Sequence, residues 1–139
     1  MQPAVQITTR PDLDIEEDIT LALRNYSPLK AARGFLTYQS IHGHVKVSGN
    51  VGSLPTKQVL LNAIKKIPGV LACDSSDLHD DEEIRLAVGQ LVPDGLQVNV
   101  QCGTVILIGT LPDNSPELLD KVHAVPGVRK VVTNHPAVN

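Results

Sequence analysis

The sequence lacks the residues on which several classes of binding protein depend. Aromatic residues make up only 2% of its 139 residues, and tryptophan is absent. Base-stacking platforms and aromatic cages need several exposed rings, so neither is expected here. Twelve Lys and Arg stand against fifteen Asp and Glu, a net charge of −3, which opposes the phosphate contacts that dominate nucleic-acid affinity. With 42% hydrophobic residues, the composition predicts a folded chain with an aliphatic core that does not bind nucleic acid.

Cysteines and long apolar runs are scarce as well. Cys73 and Cys102 do not form a CxxC motif, and we expect two buried thiols, although a disulfide stays open. The longest apolar runs have four or five residues, whereas a membrane-spanning helix needs about 20. The first ten residues show no basic start followed by an apolar run, so no signal peptide is visible. These observations predict a cytoplasmic protein, either free or peripheral at a membrane surface.

Sequence signatures of catalysis are missing too. There is no Gly-x-Ser-x-Gly elbow and no glycine-rich phosphate loop, and no spacing places paired carboxylates in one pocket. We therefore expect neither enzymatic activity nor a cofactor.

What the sequence does contain is one series of motifs written twice. Three segments align in the same order with three later ones: Glu17–Leu23 with Glu82–Val88, His42–Val51 with Cys102–Leu111, and Ile67–Val70 with Val125–Val128. Each repeat carries turn glycines at matching places: Gly43, Gly49 and Gly69 in the first, and Gly103, Gly109 and Gly127 in the second. The alignment predicts a leader over 1–12 and repeats over 13–77 and 78–139, joined at Ser75–Asp77.

Hydrophobic periodicity predicts the same elements in both repeats. Ile15, Ile19 and Leu23 recur at helical spacing, with Asp14 and Glu17 as the expected N-cap and capping-box partner. In repeat two, Ile84 and Val88 form the matching stripe, and Asp80 with Glu83 forms the matching cap. A second helix in each repeat ends at the Pro-Gly pair.

Strands are expected between the two helices and after the second. Val98 and Val100 alternate with polar residues, as in a half-buried strand. Gly43 and Gly103 stand where a tight hairpin needs positive φ. Each repeat therefore reads helix-strand-strand-helix-strand. The predicted fold class is α+β: two tandem units, each a small three-stranded mixed sheet with two helices on one face.

These motifs resemble the BON domain, a family named for bacterial osmotic-stress and nodulation-associated proteins. The resemblance rests on Gly103–Gly109 with Val125–Val128, and on Gly43–Gly49 with Ile67–Val70, and it covers nearly all of the chain beyond residue 12. It implies a non-enzymatic binding module of bacterial, transport-associated type, usually one that associates with phospholipid membranes. The matching residues are structural, so the resemblance transfers no site residues.

Basic residues supply the candidate contacts for anionic lipid. Lys30 and Arg33 stand near Phe35 in the longer connection of repeat one, and Lys65 and Lys66 end its second helix. If these cations converge, each contributes about 1 kcal/mol near an anionic membrane. The alternative is an ordinary solvated surface, with Phe35 as a core residue.

Two clusters could hold a metal ion, and we expect neither to do so. His42 and His44 flank the first turn, but no further ligand stands at a standard spacing. His79–Glu83 has four acids at a helix start, where negative charge is favourable without an ion.

One strand breaks the polar pattern expected on an open sheet face. Ile106 and Ile108 of repeat two occupy the positions of Lys46 and Ser48 in repeat one. Such a patch predicts a packing surface, covered by repeat one, by the leader or by a second chain. The alternative is a central strand that is simply apolar.

Three functions remain open at this point. The first is peripheral association with anionic phospholipid surfaces. The second is binding of an ion or small ligand in the cytosol, and the third is protein assembly through the repeat-two sheet face. Repeats this small are marginally stable alone, so packing on each other or homo-oligomerisation is expected.

Overall fold

The computed structural model describes residues 10–134, and it consists of two α+β units in tandem. The first unit contains α1 (Asp12–Arg24), α2 (Ser27–Ala32), a single 3₁₀ turn (Arg33–Phe35), β1 (Leu36–Ile41), β2 (His44–Val51), α3 (Leu54–Lys65) and β3 (Ala72–Asp80). The second contains α4 (Asp81–Gly89), β4 (Gln97–Gln101), β5 (Thr104–Ile108), α5 (Ser115–His123) and β6 (Lys130–Asn134). This confirms the predicted fold class. Repeat one and repeat two below mean these two units.

Each unit has one three-stranded mixed sheet. The orders are β1-β2-β3 and β4-β5-β6, with the first pair antiparallel and the second parallel. The parallel strand returns through α3 or α5, as a crossover connection requires. Residue alternation then sends Val45 and Val47 toward the helices in one sheet, and Val105 and Leu107 in the other.

Both hairpins close through two residues in the left-handed region. The φ angles are +50° and +81° at His42 and Gly43, and +47° and +84° at Cys102 and Gly103. Two consecutive positive φ angles define the type I′ turn, whose twist matches that of the strands it joins. The predicted turn positions are therefore confirmed.

Repeat one starts differently from the expectation. The first helix begins at Asp12, within the predicted leader, and its N-cap is Pro11 with no side-chain cap. The capping role predicted for Asp14 and Glu17 is therefore wrong. In repeat two the predicted cap is confirmed, because the carboxylate of Asp80 accepts a hydrogen bond from Glu83 N at 2.9 Å. Residues 1–9 of the predicted leader lie outside the described residues.

The structure also shifts the alignment of the first helices by one helical turn. A Cβ added at Gly69 would meet Arg10 and Ile15, and one added at Gly127 would meet His79 and Ile84. Ile15 therefore corresponds to Ile84, four residues from the match that the sequence alignment made. The alignment was wrong because a helical stripe nearly superposes on itself after four residues.

The segment predicted as the joint between repeats is part of a strand. Ser75, Ser76 and Asp77 lie inside β3, where a bulge interrupts the pairing with β2 between Lys46 and Ser48. β3 continues to Asp80 and leads directly into α4. The repeat limits at 13–77 and 78–139 stay predictions, and residues 135–139 lie outside the described part of the chain.

Two separate aliphatic clusters form the core. Twelve buried residues fill repeat one, among them Ile15, Ile19 and Leu60, whereas seven fill repeat two. The extra helix α2 explains part of the difference, since it adds Leu29 and Ala32 to the first cluster. Repeat two therefore buries less apolar surface with which to offset its chain entropy.

Candidate functional site

The hairpin turn of each repeat is held by a carboxylate from its own first helix. Asp12 accepts hydrogen bonds from the backbone amides of His42 at 2.8 Å and Gly43 at 3.0 Å, and from the hydroxyl of Ser40 at 2.7 Å. The Ser40 hydroxyl, followed by the two amides, lowers the pKa of the Asp12 carboxyl below its ordinary value. An ionised acceptor makes stronger hydrogen bonds than a neutral one, so the helix start and the turn are fastened together.

Repeat two uses the same device at the corresponding place. Asp81 accepts hydrogen bonds from Cys102 N at 2.7 Å and Gly103 N at 3.1 Å. The strand after each Pro-Gly turn is also tied to the hairpin, because Leu71 N and Arg129 N donate to the carbonyls of Gly43 and Gly103 at 2.8 Å. We call this region, with its hairpin and Pro-Gly turns, the hairpin end of a repeat. The opposite end, where β2 or β5 finishes, is its far end.

The far end of repeat one contacts the hairpin end of repeat two. The Asn50 side chain is buried and donates a hydrogen bond from Nδ2 to the Gly127 carbonyl at 2.7 Å. The Arg129 guanidinium lies over the Phe35 ring, 4.6 Å from its centroid. Gly103 and Gly127 leave the space that Asn50 and His79 fill, since an added Cβ would approach either side chain to within 3 Å.

Charged side chains continue this junction along one side. His79 Nδ1 lies 2.9 Å from Glu83 Oε2, and Lys57 Nζ lies 4.0 Å from Glu83 Oε1. Glu83 thus connects α3 of repeat one with the start of α4. The junction combines a buried hydrogen bond, a cation–π contact and this ionic cluster, and it leaves a shallow cleft of about 320 Å³ between the repeats.

The outer face of the first sheet, away from the helices, is polar. Thr37 and Ser48 are cross-strand partners whose hydroxyl oxygens are 2.7 Å apart. Lys46 Nζ lies 3.3 Å from the carboxylate of Asp77 on β3, and both side chains are well exposed. Polar side chains on this face thus pair with one another, and Ile41 is an exposed apolar side chain at its hairpin edge.

The outer face of the second sheet is apolar across its middle. Ile106 is paired with Asn99 on one side and Val132 on the other, and Ile108 lies two residues along the same strand. All three apolar side chains are half-buried. The junction contacts described above involve Gly103, Gly127 and Arg129, at the hairpin end, and not this face. That Ile106 and Ile108 form a packing interface stays a prediction.

The five basic-patch residues do not come together. Lys30, Arg33 and Phe35 stand just before β1, at the far end of repeat one, whereas Lys65 and Lys66 end α3 at its hairpin end. The helix α3, whose 12 residues span about 18 Å, runs from the far end to the hairpin end. The apolar neighbours Leu29 and Leu36 belong to the core, and the half-buried Phe35 faces Arg129.

The clusters considered for metal binding are engaged in local contacts. His42 and His44 are exposed on the turn, and the four acids at the start of α4 each contact a neighbouring group: Asp80 and Asp81 bind backbone amides, Glu82 binds Arg85 and Glu83 faces His79. Among residues 10–134, no three His, Cys, Asp or Glu side chains are grouped so that they could hold a metal ion.

Both cysteines are free and half-buried. Burial raises the pKa of the Cys73 thiol, and burial followed by the nearby Asp81 raises that of Cys102. Raised values keep both in the unreactive thiol form at neutral pH. Among the helices of residues 10–134, none has the length and hydrophobicity needed to cross a membrane.

Comparisons with known proteins identify a similar fold. No protein-family model and no curated protein sequence matches this chain, so membership of the BON family stays a prediction. The structure is similar to the C-terminal domain of CdsD, the structural protein of the Type III secretion system of Chlamydia trachomatis. The TM-score is 0.75 at 12% identity, over 96% of this chain and 70% of that one. A second CdsD structure overlaps more loosely, with a TM-score of 0.37 at 10% identity over 88% and 91% of the two chains. At 12% identity the likeness concerns the fold alone.

Proposed function

We propose that this protein is a non-enzymatic assembly module that binds another protein through the outer face of its second sheet. The observation that carries the proposal is the apolar group formed by Ile106, Ile108 and Val132 on the sheet face opposite the buried Val105 and Leu107. Apolar groups of this kind on an open sheet are typical of surfaces that pack against another layer.

The polar face of repeat one supports this interpretation by contrast. Both sheets have the same strand order, so a central strand alone does not require isoleucine at these positions. Lys46 and Ser48 fill the same places in the first sheet. We therefore attribute the isoleucines of repeat two to a contact that the outer face of its sheet makes. CdsD, whose C-terminal domain has a similar fold, is a structural protein of a secretion system, and an assembly role agrees with that use of the fold.

Peripheral binding to anionic phospholipid is the weaker candidate. It needs several cations and an apolar side chain at one surface. Lys30 and Arg33 are separated from Lys65 and Lys66 by the length of α3, and Phe35 is partly covered by Arg129.

Site-specific photo-cross-linking tests the assembly role directly. A photoreactive residue at Asn99 would sit beside Ile106, and one at Gln39 would sit at the matching place beside Lys46. In cells that naturally produce the protein, we expect a discrete cross-linked protein species from position 99 and none from position 39. Equal labelling from both positions, or none from position 99, would contradict the proposal.

A face swap separates docking from folding. Ile106→Lys with Ile108→Ser copies the outer face of repeat one onto repeat two, and we expect it to abolish the cross-link from position 99 while the chain stays folded by circular dichroism. Co-sedimentation with anionic and zwitterionic vesicles at low and moderate salt tests the lipid alternative. Salt-sensitive pelleting with anionic vesicles, lost in Lys30→Glu/Arg33→Glu, would favour the lipid role instead.

A further inference from the structure

The junction between the repeats shows how two of these units associate. It leaves one hairpin end, that of repeat one, and one far end, that of repeat two, outside the contact. The far end of repeat one meets the hairpin end of repeat two, so the contact joins two different surfaces. The hairpin end of repeat one and the far end of repeat two take no part in that contact. A contact between unlike surfaces does not close on itself, and it can recur between copies.

The hairpin end of repeat one is apolar where its counterpart in repeat two is polar. Leu71 and Arg129 are equivalent, since each donates its backbone amide to the hairpin glycine carbonyl at 2.8 Å. Arg129 covers Phe35 across the junction, whereas the side chain of Leu71 is 70% exposed. Ile41, beside the turn, is 55% exposed. Two large apolar side chains therefore project from the place where the internal junction has its main contact.

The far end of repeat two offers a matching hollow. A surface cavity of about 270 Å³ opens between the end of α4 and the start of α5, lined mainly by Leu91, Val92, Pro93 and Pro112, with Lys121 at its side. Leu91 is 40% exposed. The cavity is large enough to accept a leucine side chain, and polar and apolar atoms share its lining about equally, with Asn114 and Lys121 beside the apolar residues.

The charges around the two surfaces are complementary. Lys65 and Lys66 are exposed at the end of α3, beside the hairpin end of repeat one, where Asp14 and Asp74 are exposed acids. Three exposed acids surround the far end of repeat two: Asp94, Asp113 and Glu117. Opposite charges on the rims of two apolar surfaces favour their encounter in one orientation.

We propose that the chain self-associates end to end, with the hairpin end of repeat one docking on the far end of repeat two of a second copy. Leu71 enters the cavity beside Leu91, and Lys65 and Lys66 face the acidic rim. The contact joins the same two kinds of end as the internal junction, but it uses the cavity between α4 and α5 in place of the counterparts of Asn50 and Phe35. It uses neither Ile106 nor Ile108, so it is independent of the proposed sheet-face interface.

Sedimentation velocity of the full chain over a wide concentration range tests this proposal. We expect the average mass to rise with concentration and to fall when salt is added, because the rim charges are exposed. Leu71→Asp should weaken the association by roughly tenfold or more, because it removes a central apolar anchor and places a carboxylate against the acidic rim. The matched control is Leu86→Asp, at a leucine that is 56% exposed on α4, which should associate as the wild type does.

Mixing two variants distinguishes this contact from a symmetric dimer. Leu71→Asp blocks one end and Leu91→Asp blocks the other, so each variant alone should stay monomeric at concentrations at which the wild type associates. Their mixture should form a dimer with one chain of each and nothing larger, because only one intact pair of surfaces remains. Three results would overturn the proposal: a wild type monomeric at every concentration, a Leu71→Asp variant that associates normally, or a mixture that stays monomeric. A monomeric wild type with slow amide exchange at Ile41 would mean that another segment of the same chain covers the hairpin end of repeat one.

Discussion

The two repeats share their hairpin turn and the aspartate that holds it, and they differ in the surfaces that they present. Both close their hairpins with the same pair of positive φ angles, and both fasten that turn to the first helix with an aspartate. Their outer sheet faces, in contrast, are polar in one repeat and apolar in the other, and their hairpin ends present Leu71 and Arg129 respectively. Positions that hold the backbone are thus common to both repeats, whereas the positions that decide what each repeat contacts differ.

Truncating a core side chain should produce the largest difference in stability between the repeats. Ile84→Ala should cost about 2–5 kcal/mol, the usual cost of such a truncation at a fully buried site. Within residues 10–134, the core of repeat two has seven buried hydrophobic residues against twelve in repeat one, so we expect repeat two to open first. Native-state hydrogen exchange would show loss of protection in β4 and β5 while β1 and β2 stay protected.

Ile15→Ala is the matched control for that variant. Ile15 is the equivalent residue of repeat one and is also fully buried, but it belongs to the cluster of twelve. This truncation should leave repeat one folded under conditions in which Ile84→Ala has opened repeat two. A single transition with the same midpoint in both variants would show that the cores unfold as one unit, contrary to this expectation.

The junction is the next place to separate the repeats. Asn50→Ala removes the side-chain amide that donates a hydrogen bond to the Gly127 carbonyl. Leaving such a carbonyl without its partner typically costs about 1–3 kcal/mol of stability. We expect the repeats to lose their coupling, so that thermal unfolding followed by calorimetry broadens or splits into two transitions.

Thr110→Ala provides the comparison for this variant. Thr110 follows Gly109 as Asn50 follows Gly49, but it is exposed at the far end of repeat two. Its removal should leave the unfolding profile unchanged. If Asn50→Ala instead lowers the midpoint of a single sharp transition, the coupling between repeats does not depend on this hydrogen bond.

Much of the fold could be predicted because its signals are local and occur twice. Alternation located β4, and the Pro-Gly pairs located the ends of the second helices. The register of the first helix could not be predicted in the same way. The apolar stripe fits after a shift of four residues, and tertiary contacts settle the match: those of Ile15 and Ile84 with distant glycines, and those of Asp12 and Asp81 with the hairpins.

The candidate surfaces likewise divide into those that sequence comparison of the repeats can find and those that depend on long-range contacts. Ile106 and Ile108 stood out because their own repeat supplies a polar counterpart in Lys46 and Ser48. Asn50 and Arg129 were missed, since their contacts join residues far apart in sequence. Asp12 was missed for the same reason, although a matching Asp at the start of both first helices was a usable signal once the correct register was known. The basic residues were grouped by charge alone. In the structure they do not form one surface, because the 12-residue helix α3 lies between Lys30 with Arg33 and Lys65 with Lys66.

The smallest expected effect sharpens the comparison at the shared aspartate. Hydrogen bonds from Ser40, Gly43 and His42 lower the pKa of Asp12 in the folded chain. A carboxyl whose pKa is lower in the folded state stabilises the fold above its unfolded pKa, near 3.9, and loses that contribution as the pH falls through its folded value. Asp12→Asn should therefore lower the melting temperature modestly at pH 7, and the difference from wild type should shrink below about pH 4.

The neighbouring acid on the same helix turn supplies the control for this titration. Asp14 is exposed and is not among the groups that bind the hairpin, so Asp14→Asn should change the melting temperature less than Asp12→Asn does at pH 7. Melting curves of the three proteins from pH 7 down to acid would measure both effects. A difference between wild type and Asp12→Asn that stays constant over this range would mean that the carboxylate charge contributes nothing. The turn would then be held by hydrogen bonds that an amide oxygen accepts equally well, and the aspartate shared by the two repeats would be a matter of shape rather than of charge.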